Sequence, residues 1–183
     1  MIKNAKIIIS GIGSQGVLLS SKILGYAGFL SNKNVSLLPN HDLKIRGGSV
    51  NCQLIFSDTK IKSPIIDYAD ILVAFHKNAL KLQYKLKSKG ILLYNNSIIN
   101  NPIPQKNTTN IPIQASLIAI SLGNELVTNM VMIGALWNII ENDEKFILKS
   151  IKHNLSNDIY SKLIPLNIKA LNKGKEAILK FYN

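Results

Sequence analysis

Residues 11–16 read Gly-Ile-Gly-Ser-Gln-Gly, which is the G-x-G-x-x-G spacing of turns that bind phosphate groups. Glycine allows a tight turn and a close approach of the backbone to a ligand, and the start of a following helix offers free N–H groups to an anion. The residues of this glycine loop that we predict to be capable of binding phosphate are Gly11, Gly13, Ser14, Gln15 and Gly16. The glycines are equally compatible with a structural role, in which they let the helix pack closely on the sheet.

A dinucleotide site of the usual kind needs a second feature that this sequence lacks. An acidic residue roughly 20 residues after the glycines normally binds the ribose hydroxyls. Here the first Asp or Glu of the chain is Asp42, well beyond that distance. An arginine for a 2′-phosphate is missing from the same stretch, although Lys33 is nearby. A standard nicotinamide dehydrogenase is therefore disfavoured.

Arg46 is the only arginine among 22 basic residues, and Gly47 and Gly48 follow it directly. A guanidinium is planar and permanently charged, and it binds a carboxylate or phosphate through two parallel hydrogen bonds, which lysine cannot do. We therefore interpret Arg46 as a contact to an anionic ligand or to a partner. A structural ion pair with Asp42 is an alternative that the sequence leaves open.

The composition is that of an ordinary globular domain, with 183 residues of which 46% are hydrophobic and 17% charged. A net charge of +12 would suit a nucleic-acid-binding protein, but the lysines are spread from Lys3 to Lys180 without a dense cluster. Lys77, Lys81 and Lys85 would share one face of a predicted helix, which is typical of a solvated surface. We expect no nucleic-acid partner, and we expect the charge to serve solubility or an acidic protein surface.

The sequence also disfavours an internal disulfide, a metal site and a membrane span. Cys52 is the only cysteine, so an internal disulfide is excluded and one thiol cannot supply the four ligands of an iron–sulfur cluster. His41, His76 and His153 lack the spacing of metal ligands, so we expect no metal on this chain. Residues 115–140 are the most apolar stretch, but polar residues interrupt it, and we expect neither a membrane span nor a signal peptide. The sequence thus favours a cytoplasmic protein.

Apolar patterning predicts the elements that position these motifs. Residues 6–10 form a short apolar run before the glycine loop, as in a buried parallel strand. Residues 49–56 alternate between apolar and polar side chains, which predicts a half-buried strand in a hairpin whose turn includes Ser57, Asp58 and Thr59. Further strands are predicted at residues 35–38, 70–75, 90–95 and 111–113, and helices at residues 16–30, 77–87, 114–122, 125–140 and 166–181.

Strands that alternate with helices predict an α/β fold. We expect a Rossmann-like three-layer sandwich with a mainly parallel sheet and an antiparallel hairpin insertion after Arg46. No repeat or linker divides the sequence, so residues 1–183 are expected to form one domain. Asn129 lies on an otherwise apolar helix, and we interpret it as a buried, hydrogen-bonded amide that supports the site.

In their order along the chain, these motifs resemble the gamma-type subunits of 2-oxoacid:ferredoxin oxidoreductases. Members carry G-x-G-G-Q-G-V near the N-terminus and R-G-G later, which residues 11–17 and 46–48 match except that Ser14 replaces a glycine. The sequence is most similar to the beta subunit of indolepyruvate ferredoxin oxidoreductase, whose His and R-G-G-S-V pattern is echoed by His41 and residues 46–50. Three later stretches of that subunit are matched by residues 63–65, residues 69–75, and Gly123 and Asn124 with Asn129 and residues 134–136.

The resemblance implies a gamma-type domain that works as a non-autonomous enzyme subunit. The family catalyses CoA-dependent oxidative decarboxylation of a 2-oxoacid to an acyl-CoA, and the electrons pass through iron–sulfur clusters to ferredoxin. By resemblance, thiamine diphosphate, Mg and [4Fe-4S] clusters belong to a larger partner subunit, so this chain holds no cofactor alone and serves ferredoxin only indirectly. The residues that would face the substrate, the CoA or the partner are His41, Arg46, Gly47, Gly48 and Ser49, and none is assigned as catalytic.

Three other functions stay open at the level of sequence. The chain could be a gamma subunit for pyruvate, 2-oxoglutarate or a branched-chain 2-oxoacid. The glycine loop also leaves open a stand-alone flavin or NADP reductase, and the basic composition leaves open a non-enzymatic interaction module.

Overall fold

The computed structural model describes residues 4–41, 48–100, 102, 107–141, 143–156 and 161–182. A six-stranded sheet with the strand order β2-β3-β1-β4-β5-β6 forms its centre. The strands are β1 (Ala5–Ile12), β2 (Asn34–His41), β3 (Ser49–Ser57), β4 (Ala69–Ala74), β5 (Leu86–Asn95) and β6 (Thr109–Ile113). The pairs β1–β4, β4–β5 and β5–β6 are parallel, whereas β3 runs antiparallel to both β1 and β2.

The central strand β1 is covered on both faces. Ile7 and Ile9 belong to the larger hydrophobic core on one side of the sheet, and Ile8 belongs to a smaller core on the other. Successive side chains of a strand point to opposite faces, so a strand covered on both sides needs an unbroken apolar run. The apolar run at residues 6–10 is therefore a direct consequence of the central position of β1.

Helices cover the larger core. They are α1 (Val17–Leu30), α2 (Ala115–Ser121), α3 (Thr128–Ile140), α4 (Glu144–Asn154) and α5 (Ile164–Tyr182). All but two of the 13 residues of α3 are buried, because this helix packs against α1, β5 and α5. The prediction of a buried helix that is apolar nearly all round is confirmed.

The helix α4 occupies a segment for which the sequence analysis makes no prediction. The side chain of Asp143 accepts a hydrogen bond from the backbone N–H of Lys145 at 3.1 Å and so caps the start of the helix. Ser150 fixes α4 to α1, because its Oγ donates to the carbonyl oxygen of Ile23 at 2.6 Å. A cap residue followed by amphipathic spacing was the signal that could have identified this helix.

The smaller core is covered by a 3-10 helix, Lys77–Lys85, and by loop residues. The prediction of a regular helix at residues 77–87 is therefore wrong in its type and in its end, since β5 follows directly. A 3-10 helix has about three residues per turn, so residues four apart point in different directions. Lys77, Lys81 and Lys85 therefore do not share one face.

The predicted fold class is confirmed, because the sheet is mixed and mainly parallel with an antiparallel hairpin and lies between covering layers. The predicted position of the hairpin turn at residues 57–59 is wrong. The strand β3 pairs with β2, with Leu54 opposite Leu37, so the connection of the hairpin is residues 42–48. Alternation identified β3 as a strand, but it carries no information about the pairing partner.

Cys52 is fully buried in β3, as expected for a small core residue. Burial raises the pKa of the Cys52 thiol, and a hydrogen bond with the side chain of Ser21 opposes that rise. The thiol therefore stays protonated and unreactive near neutral pH. No helix in the described part of the chain combines the length and the apolar character that a bilayer crossing requires.

Candidate functional site

The glycine loop lies at the carboxyl end of β1 and leads into α1. Residues Gly13–Gln15 form a 3-10 turn, and Gly16 adopts a left-handed conformation with a φ of +70° before α1 begins at Val17. Glycine is favoured at such a φ because a side chain would clash with the backbone. The helix α1 starts without a side-chain cap, so the N–H groups of its first turn are available to a ligand or to water.

The side chain of Gln15 folds back into the loop. Its Oε1 accepts a hydrogen bond from the backbone N–H of Ile12 at 3.0 Å, and its Nε2 donates to the carbonyl oxygen of Phe75 at 3.3 Å. A Cβ atom on Gly11 would lie 2.6 Å from the Oε1 of Gln15 and 2.9 Å from the Cβ of Phe75. Gly11 is therefore required for packing, because it leaves room for the glutamine.

Gly13 differs from the other two glycines of the motif in having open space beside it. A Cβ atom at this position would meet only the Cγ2 of Val50, at 3.9 Å. The backbone at Gly13 is thus the part of the loop to which a ligand can approach most closely. The structural interpretation of the motif therefore applies to Gly11 and Gly16, and the ligand-binding interpretation applies to Gly13.

The second motif lies directly beside the first. In the antiparallel pairing of β1 and β3, Ser49 is opposite Ile12 and Val50 is opposite Gly11. The backbone of His41 pairs with Val50 on the other side, in β2. The register therefore aligns the end of the R-G-G-S-V motif with the start of the glycine loop.

Two predicted site residues of this motif, Arg46 and Gly47, lie outside the described residues, as does the side chain of His41. Gly48 precedes β3, which begins at Ser49. The structure thus brings Ser49 to the loop.

Asn129 lies at the start of α3 and contacts the loop. Its side chain is 5% exposed, and its Oδ1 accepts a hydrogen bond from the backbone N–H of Met130 at 2.9 Å. A Cβ atom on Gly16 would lie 2.6 Å from the Nδ2 of Asn129. The amide is buried and hydrogen-bonded, as the sequence analysis expected. In addition, it links the N-terminal ends of α1 and α3.

A cleft of about 610 Å³ lies at the carboxyl edge of the parallel strands, and one of its walls is formed by Ile12, Ser14, Gln15, Gly16, Leu19 and Asn129. Ligands of open α/β sheets bind at this edge, where the connections diverge. Other walls come from segments far away in the sequence, and their lining residues are Ile98, Ser116, Asn124, Glu125, Leu126, Val127, Thr128, Leu155, Leu163 and Asn167. The sequence analysis missed these residues as a group, although the prediction of a parallel sheet already indicated the edge at which they meet.

The described wall of the cleft has little charge. Glu125 is the only ionisable residue among the lining residues given above and those of the loop. Lys33, which lies near the loop in sequence, instead forms an ion pair with Asp58. Within the described ranges there is also no group of three or more His, Cys, Asp or Glu side chains that could hold a metal ion.

The strand order adds an argument against a standard dinucleotide site. In the dinucleotide-binding fold, the strand that carries the ribose-binding acid lies next to β1. Here the antiparallel strand β3 lies between β1 and β2. The end of β2 is therefore one strand further from the glycine loop, and it carries Asn40 and His41 in place of an acid.

Comparison with known proteins identifies relatives that are similar over most of this chain. The ketoisovalerate oxidoreductase subunit VorA from Methanothermobacter marburgensis is 28% identical over 177 residues, which cover 95% of this chain and 36% of VorA. The chain thus spans about a third of the length of that relative. The indolepyruvate oxidoreductase subunit IorB from Archaeoglobus fulgidus is 28% identical over 189 residues, and the match covers 92% of both chains.

Solved structures share the fold. The 2-oxoglutarate:ferredoxin oxidoreductase from Magnetococcus marinus superposes with a TM-score of 0.86 at 22% identity, over 98% of this chain and 32% of that chain. The gamma subunit of a keto/oxoacid ferredoxin oxidoreductase from Geobacter sulfurreducens superposes with a TM-score of 0.79 at 24% identity, over 96% and 98% of the two chains. The α/β fold that the motifs imply is therefore confirmed.

A family model described as pyruvate ferredoxin/flavodoxin oxidoreductase matches residues 6–177, which include the glycine loop, the R-G-G-S-V motif and Asn129. The chain belongs to the pyruvate ferredoxin/flavodoxin oxidoreductase family.

Proposed function

We propose that this chain is the gamma-type subunit, formed as one domain, of a 2-oxoacid:ferredoxin oxidoreductase that converts a 2-oxoacid and CoA to an acyl-CoA. The observation that carries the proposal is the pairing of Ser49 with Ile12, which joins the two motifs of the family at one edge of the sheet. Both motifs would then contribute to a single site beside the cleft.

An indolepyruvate-type substrate is the preferred form of the proposal. The relative IorB matches this chain over 92% of both lengths, and the His and R-G-G-S-V pattern supports the same choice. Relatives of similar identity are named for ketoisovalerate and 2-oxoglutarate, so a branched-chain 2-oxoacid, 2-oxoglutarate or pyruvate is the alternative substrate.

The iron–sulfur clusters of such an enzyme do not fit the residues of this chain, and the described ranges hold no group of three His, Cys, Asp or Glu side chains that could bind the Mg of thiamine diphosphate. The sequence has one cysteine, Cys52, and that residue is buried in the core. We therefore assign these groups to a larger partner subunit, which would supply the decarboxylation chemistry and pass electrons to ferredoxin. The role of this chain would be to bind and orient a ligand at the edge of that site.

CoA is the ligand that we propose for the glycine loop. Its phosphates match the open backbone at Gly13 and the uncapped start of α1. The described cleft wall has no basic residue, so Arg46 from the connection between β2 and β3 would supply the cation. Asn129 would support the loop through Gly16. A solved structure with the same fold is described with CoA bound.

The test uses the complex that contains this chain, purified through an affinity tag on the chain in its own cells. The expected product is a complex with a large subunit that carries thiamine diphosphate and iron. In that complex, Arg46→Lys keeps the charge but removes the bidentate contact, so we expect the KM for CoA to rise by about tenfold or more. Lys44→Ala, which removes a neighbouring cation, is the matched control and should leave the KM within about twofold.

Two results would contradict the proposal. Capture of no thiamine-containing subunit would remove the assigned function as a whole. An unchanged KM for CoA in Arg46→Lys would remove the role of the arginine alone. A flavin or NADP reductase would be indicated instead by a flavin absorbance of the purified chain or by its thermal stabilisation with NADP.

A further inference from the structure

Four large apolar side chains are exposed on the segments that supply Ile98, Ser116 and Leu126 to the lining of the cleft. They are Ile98, Leu117, Ile120 and Leu126, with exposed fractions of 38%, 55%, 56% and 77%. We call these four residues the apolar rim. Ile98 and Leu126 line the cleft itself, so the rim is continuous with the proposed CoA site.

The rim is held in place by the fold. Leu117 and Ile120 are one turn apart on the outer side of α2, whereas Ala115 and Ala119 face the core. The backbone N–H of Leu117 donates to the Oγ of Ser97 at 3.3 Å, which fixes the segment that carries Ile98 beside the helix. The rim is therefore a preformed surface on rigid elements.

The surrounding sequence has the charge distribution of a protein interface. Residues 91–143 contain one basic residue, Lys106, among 53 residues, whereas the other 130 residues contain 21 of the 22 basic residues. A chain that uses lysine over the rest of its length thus almost omits it from the segment that carries the rim. Cores of protein interfaces are depleted in lysine and rich in apolar side chains. A nucleic acid or an anionic membrane would need the opposite composition.

The lengths of two relatives point to the kind of partner that this surface would fit. The unit similar to this chain makes up 36% of VorA and 32% of the Magnetococcus marinus chain. In those proteins the same fold is covalently continuous with further polypeptide of about twice its length. In the present chain the corresponding polypeptide would be a separate subunit, which needs a docking face on this one.

We propose that the apolar rim is the surface on which the larger, thiamine-carrying subunit docks, so that docking closes the mouth of the cleft. This proposal rests on the proposed function. It goes further by assigning the contact to α2 and to the turn Glu125–Val127, and by requiring a partner surface that is apolar and low in charge.

The experiment compares aspartate substitutions on the rim with one away from the rim, in the tagged complex. Ile120→Asp and Leu126→Asp place a charge on the rim, and Ile65→Asp does so at a residue with almost the same exposure, 57%, next to the opposite core cluster. Thermal unfolding of each purified chain checks that the fold is kept. We expect both rim variants to retain less than about a tenth of the large subunit, with its thiamine diphosphate and iron, and Ile65→Asp to retain it fully.

The outcome shows whether the proposed function or only the docking surface is wrong. If the wild-type chain captures no thiamine-containing subunit, the proposed function fails and the assigned occupant fails with it. If the wild type captures it and the rim variants do so equally, the docking surface alone is wrong. A homodimer of the isolated chain that Ile120→Asp converts to a monomer would assign the rim to self-association instead.

Discussion

Gln15 shows that part of a ligand-binding motif can be satisfied from within the protein. Its side chain takes up the N–H of Ile12 and occupies the space left by Gly11. The same amide reaches the carbonyl oxygen of Phe75 and so ties the glycine loop to the residue that follows β4. The loop is thus stiffened before any ligand binds, and Gly13 is left as its open position.

The contribution of Gln15 can be measured directly. Gln15→Ala removes both hydrogen bonds, and we expect the free energy of unfolding to fall by about 1–2 kcal/mol, since each net hydrogen bond contributes about 1 kcal/mol. Gln114→Ala is the control, because Gln114 is exposed and makes no capping hydrogen bond at the start of α2. Equal urea midpoints for the two variants would contradict the structural role of Gln15.

At the scale of elements, the crossing of α3 and α5 explains two glycines within helices. A Cβ atom on Gly134 would lie 1.9 Å from the carbonyl oxygen of Leu171, and one on Gly174 would lie 1.9 Å from that of Val131. Helix propensity alone would indicate only that Gly174 weakens its helix. The structure shows that each glycine allows the backbone of the other helix to approach.

Alanine substitutions test this crossing. Gly134→Ala and Gly174→Ala should each lower the free energy of unfolding by about 1–3 kcal/mol or more, because the backbones must move apart. Gly25→Ala in α1 is the matched control, since its Cβ would lie at an ordinary distance of 3.4 Å from Leu37. There we expect no loss and a gain of up to about 1 kcal/mol from helix propensity. Chemical denaturation of all three variants gives the comparison, and a stable Gly134→Ala would show that the crossing is looser than described.

At the scale of the whole molecule, the charge is unevenly placed. Residues 91–143 contain one basic and three acidic residues and so carry a net charge of −2, whereas the rest of the chain carries +14. That segment provides α2, α3 and the apolar rim. A basic chain therefore carries its apolar rim on a segment that is almost free of lysine. This asymmetry favours a protein partner at the rim, and it leaves the lysines to keep the rest of the surface hydrated.

The salt dependence of assembly follows from this asymmetry. If the rim forms the contact, raising NaCl from about 0.1 M to about 0.5 M should change the dissociation constant of the complex by less than about threefold, because few charges are screened. Binding of heparin to the same chain should weaken steeply over this range and serves as the control. A complex that dissociates as steeply as heparin would point to the lysine-rich surface as the interface.

The sequence by itself determined the six strands, four of the five described α-helices including the buried α3, the position of the glycine loop after β1, and the family. The elements follow from the local periodicity of apolar residues, and the family follows from motifs in a fixed order. Local periodicity also indicates which face of an element is buried. The family in turn supports a function, while the substrate and the site residues stay proposals.

Only the tertiary structure decided which elements meet. It paired β3 with β2, set Ser49 opposite Ile12, placed Asn129 against Gly16 and brought Gly134 to Leu171. It also showed that residues 77–85 form a 3-10 helix, since the packing of the smaller core overrides the helical pattern. Such contacts join residues that are far apart in the chain, and their free energy depends on the shape of both partners, which local periodicity does not encode.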